Sequence, residues 1–245
     1  MLLIRLHVQA NWREYSFMNL ADFEKYDAAL GRDEVDHIER LMIEQINSMT
    51  GQKLESVKLY HTLPVADHKI MLSMKGARVF QRESVEQILS MPFFSKLRKR
   101  FEQFTVSNIV TETYESETEE IYFRLVRPWQ TSDVGCPHCD FWFHKAYGLE
   151  YASRGNTWKC WIPITVEPFK SGLEIYPRAS IDTVKYSVQD KKLSCDKHQA
   201  GLGKPVLVPV QPGDMLIFRD DVIHSGAINE GAFTRSSIEI TFIHK

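Results

Sequence analysis

Apolar positions recur along this chain at two spacings, and the change between them falls near Asn108. Residues 1–30 are mixed, with a short β-like opening. From Asp33 onward Val35, Ile38, Leu41, Met42 and Ile46 recur every three or four residues with charges between them, as in an amphipathic helix. That pattern runs to about Met49, and Gly51 is a natural stop. Val57 to Tyr60 reads as β-like, with Pro64 interrupting it, and Ile70 to Met74 as a further short strand. A second helical pattern begins near Ser84, with Val85, Ile88 and Leu89 on one face. Pro92 breaks or restarts it, because proline lacks the N–H that a helix interior needs. Phe94, Leu97, Phe101 and Phe104 continue at helical spacing. Lys96, Arg98, Lys99 and Arg100 among them read as a solvated helix face rather than a surface for an acidic partner.

Beyond Asn108 the pattern becomes β. Glu119 to Val126, Thr157 to Val166, Leu173 to Tyr176, Val206 to Val210, Asp214 to Phe218 and Arg235 to Ile243 are short runs of β-forming residues. Gly172, Pro205, Pro212, Gly213, Gly226 and Gly231 punctuate them. Many short strands with turn signals between them predict a mainly β sandwich or jelly roll, with the N-terminal helices packed outside one sheet. At 245 residues such a fold fits a single domain, with a helix-rich part over 1–108 and a β core over 109–245.

Composition narrows the picture. Hydrophobic residues make up 43% of the chain, enough for a real core. Thirty basic against 32 acidic residues leave a net charge of −2, so nothing points to nucleic acid or an anionic membrane as partner. No apolar run is long enough to span a bilayer, and MLLIRLHVQANW lacks the apolar core and cleavage site of a signal peptide. The expectation is a soluble, cytoplasmic protein acting on a small molecule.

The chemistry concentrates in Val134 to Tyr147, VGCPHCDFWFHKAY, which contains His138-x-Asp140. In an extended strand, residues i and i+2 share a face, so the imidazole and carboxylate would converge. His224, in GDMLIFRDDVIHSG, is the best third ligand: a Gly-Asp turn, an apolar strand and then a polar loop place it near the strand's end, at a cavity mouth. Two neutral imidazoles and one carboxylate form the facial triad of non-haem Fe(II) oxygenases. His138 and His224 stand 86 positions apart, which leaves room for several intervening strands. Arg235, Ser237, Glu239 and Thr241 alternate onto one face of the last strand. Arg235 could clasp a carboxylate with two parallel hydrogen bonds and Ser237 could add another, while a structural pair with Glu239 is the competing role for Arg235.

Residues 119–245 resemble the Fe(II)/2-oxoglutarate-dependent dioxygenases, and among them the phytanoyl-CoA dioxygenase-like group. The resemblance is carried by His138-x-Asp140, SGLEIYPRAS (Ser171 to Ser180), GDMLIFRDDVIHSG (Gly213 to Gly226) and Arg235, eleven positions after His224. The family's turn usually reads NGxLxxxPGSH; here Arg178 and Ala179 stand where Gly and Ser are common, and no histidine follows Ser180. The resemblance implies a double-stranded β-helix, the jelly-roll form shared with cupins. It implies Fe(II) on His138, Asp140 and His224, 2-oxoglutarate as cosubstrate with Arg235 on its distal carboxylate, and O2 as oxidant. Asp140 argues for hydroxylation over halogenation, since related halogenases carry a small residue there.

Other readings use neighbouring residues. Cys136-Pro-His-Cys139 is a C-x-x-C, the pattern of thiol–disulfide oxidoreductases, but the aromatic DFWFHKAY after it reads as β rather than as their helix. Cys136, Cys139, Cys195 and His198 are acceptable ligands for structural zinc. A jelly-roll binding protein without catalysis is a further class, although all three ligands and the arginine are present. Arg124 and His144 are candidates for substrate contact. Trp142, Trp158, Trp161 and Tyr176 are aromatic and near the site; core packing is the default for most and one or two could line a substrate wall, with Trp158 and Tyr176 as the candidates.

Overall fold

The computed structural model describes residues 23–74, 76–100, 104–106, 119–147, 157–189 and 192–244. In chain order it contains β1 (Phe23–Tyr26), α1 (Arg32–Thr50), α2 (Val65–Ser73), α3 (Arg82–Leu89), α4 (Pro92–Arg100), β2 (Phe104–Val106), β3 (Tyr122–Val126), α5 (Asp140–Tyr147) and β4 (Thr157–Thr165). There follow β5 (Leu173–Ile175), β6 (Ser187–Gln189), β7 (Lys192–Ser194), β8 (Val206–Leu207), β9 (Met215–Arg219), β10 (His224–Gly226) and β11 (Arg235–His244). The larger sheet runs β1-β9-β4-β11, and the far edge of β11 is shared by β3 along Arg235 to Glu239 and β2 along Phe242 to His244. The smaller sheet is β10-β5-β8, and β6 and β7 form a separate hairpin. Every pairing is antiparallel.

Strand alternation gives the larger sheet two buried faces. Cys160 and Ile162 of β4, Met215 and Ile217 of β9, and Ile238, Ile240 and Phe242 of β11 pack against Ile38, Met42 and Ile46 of α1 and Phe94 and Leu97 of α4. On the opposite face Trp161, Leu216 and Phe218 meet Leu173, Ile175, Val208 and Val210 on the smaller-sheet side. A strand covered on both sides is why Met215 to Phe218 reads as a continuous apolar run. Pro163 is tolerated inside β4 because the register shifts there: Ser236 pairs with Thr165 and Ser237 with Pro163, leaving Ile164 as the extra residue of a bulge.

The helical pattern beginning at Asp33 forms α1, which Gly51 closes at φ +72°, the left-handed region that glycine enters without steric cost. Pro92 restarts a helix, as its position predicts. Two short β readings are overturned. Val57–Thr62 is 3-10 helix, with the Ser56 hydroxyl accepting from the Lys58 N–H. Pro64 leads into α2, whose Val65–Ser73 takes up nearly all of the expected Ile70 to Met74 strand. Apolar runs of four or five residues carry too little periodicity to separate strand from helix. Phe104 leaves the helical stripe for β2. The β-like opening within 1–22, Phe101 and the Asn108 transition lie outside the described residues.

Candidate metal centre

His138 and His224 exchange main-chain hydrogen bonds, N–H to O, of 2.9 and 2.7 Å, forming a single bridge beside the smaller sheet. Directly opposed residues of an antiparallel pair project to the same side, and the two rings lie 4.5 Å apart. His224 opens β10, five residues after the end of β9. Asp140 does not continue a strand from His138. It is the first residue of α5, whose Phe141 N–H donates to the Asp220 carbonyl at 2.9 Å. A carboxylate suits the first turn of a helix, where peptide N–H groups lack intrahelical acceptors. The aromatic content of DFWFHKAY, which favours a strand locally, is overridden by packing of Trp142 against Tyr186 and by burial of His144. His144 lies one helical turn after Asp140, with its Nδ1 3.3 Å from Thr157 Oγ1.

His138, Asp140 and His224 each offer a ligand atom, and these atoms lie within 4.8 Å of one another; the group could hold a metal ion. Nδ1 of His138 is 2.8 Å from the Cys136 carbonyl, and Nδ1 of His224 is 3.0 Å from the Val222 carbonyl. Each ring therefore donates its Nδ1–H to a carbonyl two residues upstream, leaving the Nε2 lone pair free, the usual outer-shell arrangement of a metal-binding histidine. Burial, and then the His224 ring, push His138 down to about 4. Burial likewise lowers His224. Burial opposes ionisation of Asp140, but Lys159, His224 and His138 outweigh it and hold the carboxyl well below the usual range. Asp140 Oδ2 is buried and accepts no hydrogen bond, with Lys159 Nζ 3.4 Å away. Two neutral nitrogens and one ionised oxygen suit a divalent metal such as iron.

The triad lines a cavity of about 290 Å³, together with Tyr122, Arg124, His144, Lys159, Trp161, Arg235 and Glu239. Arg235 is 3% exposed. Its Nη1 donates to Ser237 Oγ at 3.1 Å, its guanidinium lies 5.8 Å from the Trp161 ring centroid, and its Nε is buried without a partner. Burial lowers its pKa to about 10, so it stays charged at neutral pH. Among the described residues no carboxylate lies within ion-pair distance of Arg235, and Glu239 pairs with Arg124 at 3.1 Å instead. A Cβ on Gly226 would come within 3.3 Å of Arg235 Nη2, so glycine there lets the guanidinium lie against β10, two residues from His224.

Other expected site residues are placed differently. Ser237 is fully buried and its oxygen accepts from Arg235, so it positions the arginine and does not line the cavity. Trp158 packs on the helix side of β4, because it shares parity with Cys160 and Ile162; the tryptophan on the cavity face is Trp161. Tyr176 sits in an apolar cluster with Cys139 and Cys195, its hydroxyl 3.4 Å from Ser225 Oγ. Arg124 and His144 do line the cavity. Lys159 was legible but missed, since it alternates with apolar Cys160 and Ile162 and so shares a face with Trp161.

Neither cysteine reading finds its geometry. The C-x-x-C does lead into a helix, contrary to the β reading of DFWFHKAY, but burial raises the pKa of Cys136, Cys139 and Cys195 alike. A reactive thiol needs the opposite shift. Among the described residues the only group of three histidine, cysteine or acidic side chains placed to hold a metal is the His-Asp-His triad. No described helix is long and apolar enough to cross a membrane.

No family model and no curated protein matches the chain in sequence. Similar solved structures do exist. AviO1 from Streptomyces viridochromogenes Tue57 is 14% identical, with a TM-score of 0.54 over 91% of this chain and 89% of that one. The epimerase SnoN, in complex with Fe3+, alpha ketoglutarate and nogalamycin RO, is 13% identical, with a TM-score of 0.54 over 91% of this chain and 78% of that one. The non-heme monooxygenase ThoJ, in complex with Ni, is 11% identical, with a TM-score of 0.53 over 91% and 74%. The shared feature is the fold: mostly antiparallel sheets with a few helices.

Proposed function

We propose that this protein is an Fe(II)- and 2-oxoglutarate-dependent oxygenase, phytanoyl-CoA dioxygenase-like, which hydroxylates a small polar metabolite or sugar-like substrate. In that reaction 2-oxoglutarate, O2 and R–H give succinate, CO2 and R–OH. The two facing sheets are read as the halves of a double-stranded β-helix, and residues 1–245 as one oxygenase domain. His138, Asp140 and His224 would hold the iron, which supplies oxidation of an unactivated C–H bond when bound. Arg235 would bind the far carboxylate of 2-oxoglutarate, with Ser237 holding the guanidinium in place. Arg124 and His144 would contact substrate.

One observation carries the reading: a metal-capable triad and a buried, charged arginine with no acidic partner among the described residues line one cavity. A charge taken out of water is costly unless directed hydrogen bonds compensate it. An arginine left with one hydroxyl partner is therefore matched to an anionic ligand, and a carboxylate fits its planar fork. SnoN is an epimerase and ThoJ a monooxygenase, so product analysis must separate insertion of oxygen from inversion of a carbon centre. Anaerobic titration of Fe(II) and then 2-oxoglutarate should produce the weak visible charge-transfer band of the chelate. A folded protein that shows no such band would instead be a binding protein on this scaffold.

A further inference from the structure

Resting on that reading, we propose that Lys159 is a positioning residue for the metal centre: it holds Oδ2 of Asp140, so that the carboxylate meets a metal through one oxygen only. Lys159 projects from β4 into the cavity, opposite Thr241 in the β11 register, and its side chain is 13% exposed. Its Nζ lies 3.4 Å from Oδ2, an oxygen that is buried and accepts no hydrogen bond. Among the described residues Lys159 is the one cation within ion-pair distance of Asp140, and Asp140 is the one carboxylate within that distance of Lys159.

The consequence is a matter of coordination count. An octahedral metal has six positions. Two imidazoles and one carboxylate oxygen fill three, leaving three for a 2-oxo acid that takes two and for one further ligand. A carboxylate binding through both oxygens leaves only two, and the 2-oxo acid then fills the metal. An ammonium is suited to prevent this, because it is a point charge that can occupy one oxygen. A guanidinium would take both oxygens in parallel and compete with the metal.

The test compares wild type, Lys159→Met and Lys159→Arg, each loaded with manganese(II) and labelled with isotopic aspartate. The gap between antisymmetric and symmetric carboxylate stretches in infrared difference spectra is wide for one-oxygen binding and narrow for chelation. Wild type should show the wide gap and Lys159→Met the narrow one. Lys159→Met should bind manganese at least as tightly as wild type, whereas a lysine that merely supports local structure would lower metal affinity when removed. Lys159→Arg should bind manganese more weakly than wild type. If Lys159→Met does not fold, Lys159→Gln serves in its place. An unchanged infrared gap in the Met or Gln variant overturns the assignment even if 2-oxoglutarate weakens, because Lys159 would then touch the cosubstrate itself. Wild type that binds no metal removes the proposed function and this inference together. Wild type that binds both metal and 2-oxoglutarate, matched by the variant on every measure, removes only the inference.

Discussion

In the proposed reaction, Arg235 is the residue that binds the cosubstrate. Among the described residues its one polar partner is Ser237, and Glu239, its competing partner on sequence grounds, is engaged by Arg124. Arg235→Ala should therefore weaken 2-oxoglutarate binding by about 2–5 kcal/mol, the cost of truncating one side of a buried charge pair, or roughly 30- to several-thousand-fold at about 1.4 kcal/mol per decade. Arg235→Lys should recover only part, since an ammonium keeps the charge but loses the fork. Melting curves should show Arg235→Ala no less stable than wild type, because it removes a buried charge that no carboxylate among the described residues neutralises. A lower melting temperature with unchanged affinity would make the arginine structural. His138→Ala and His224→Ala should each abolish stoichiometric Fe(II) binding in folded protein, measured by metal analysis after desalting; retained iron in both would remove the triad from the mechanism.

At the scale of elements, the strand-to-helix junction at His138 and the loop after β3 frame the cavity. That loop is held by Arg127, whose Nε and Nη2 each donate to Asp133 at 2.7 Å, and whose main-chain N–H donates to Asp133 at 3.0 Å. Burial opposes ionisation of Asp133, but these bonds outweigh it and hold the carboxyl below its ordinary value. A depressed folded pKa means the pair stabilises the protein above the unfolded carboxylate range and ceases to do so as pH falls through the folded value. Asp133→Asn should cost about 1.5–3 kcal/mol near neutral pH, as losing hydrogen bonds to a charged group does. The deficit relative to wild type should shrink in denaturant titrations at progressively lower pH; a deficit that is constant with pH would mean the carboxylate charge plays no part.

At the scale of the whole molecule, α1, α4 and the outer face of the larger sheet share one apolar cluster. Helices that supply half of a core should not melt separately from the sheet they cover. Ile38 is fully buried at that junction, and Ile38→Ala should cost about 2–5 kcal/mol. Calorimetry should show a single transition shifted downward in the variant. Two transitions, with only one of them displaced, would divide the chain into separate cooperative units.

Long-range periodicity made α1, α3, α4, β4, β9 and β11 readable in the sequence, because over many residues one buried face demands a regular spacing. The alternation that turns Arg235 to the cavity was readable for the same reason, and the His-x-Asp motif with His224 named the three side chains that could hold a metal. What surrounds the ligands was decided by tertiary structure. His138 meets His224 through main-chain hydrogen bonds between segments 86 residues apart, and Asp140 reaches them from a helix where a strand was expected. Which of Trp158 and Trp161 faces the cavity is decided by which sheet or helix covers each side of a strand buried on both faces. The pairing of Glu239 with Arg124, which leaves Arg235 without an acid among the described residues, is likewise a choice between competing partners. Local sequence offers both; only the register of β3 on β11, Ser237 against Arg124 and Glu239 against Tyr122, selects one.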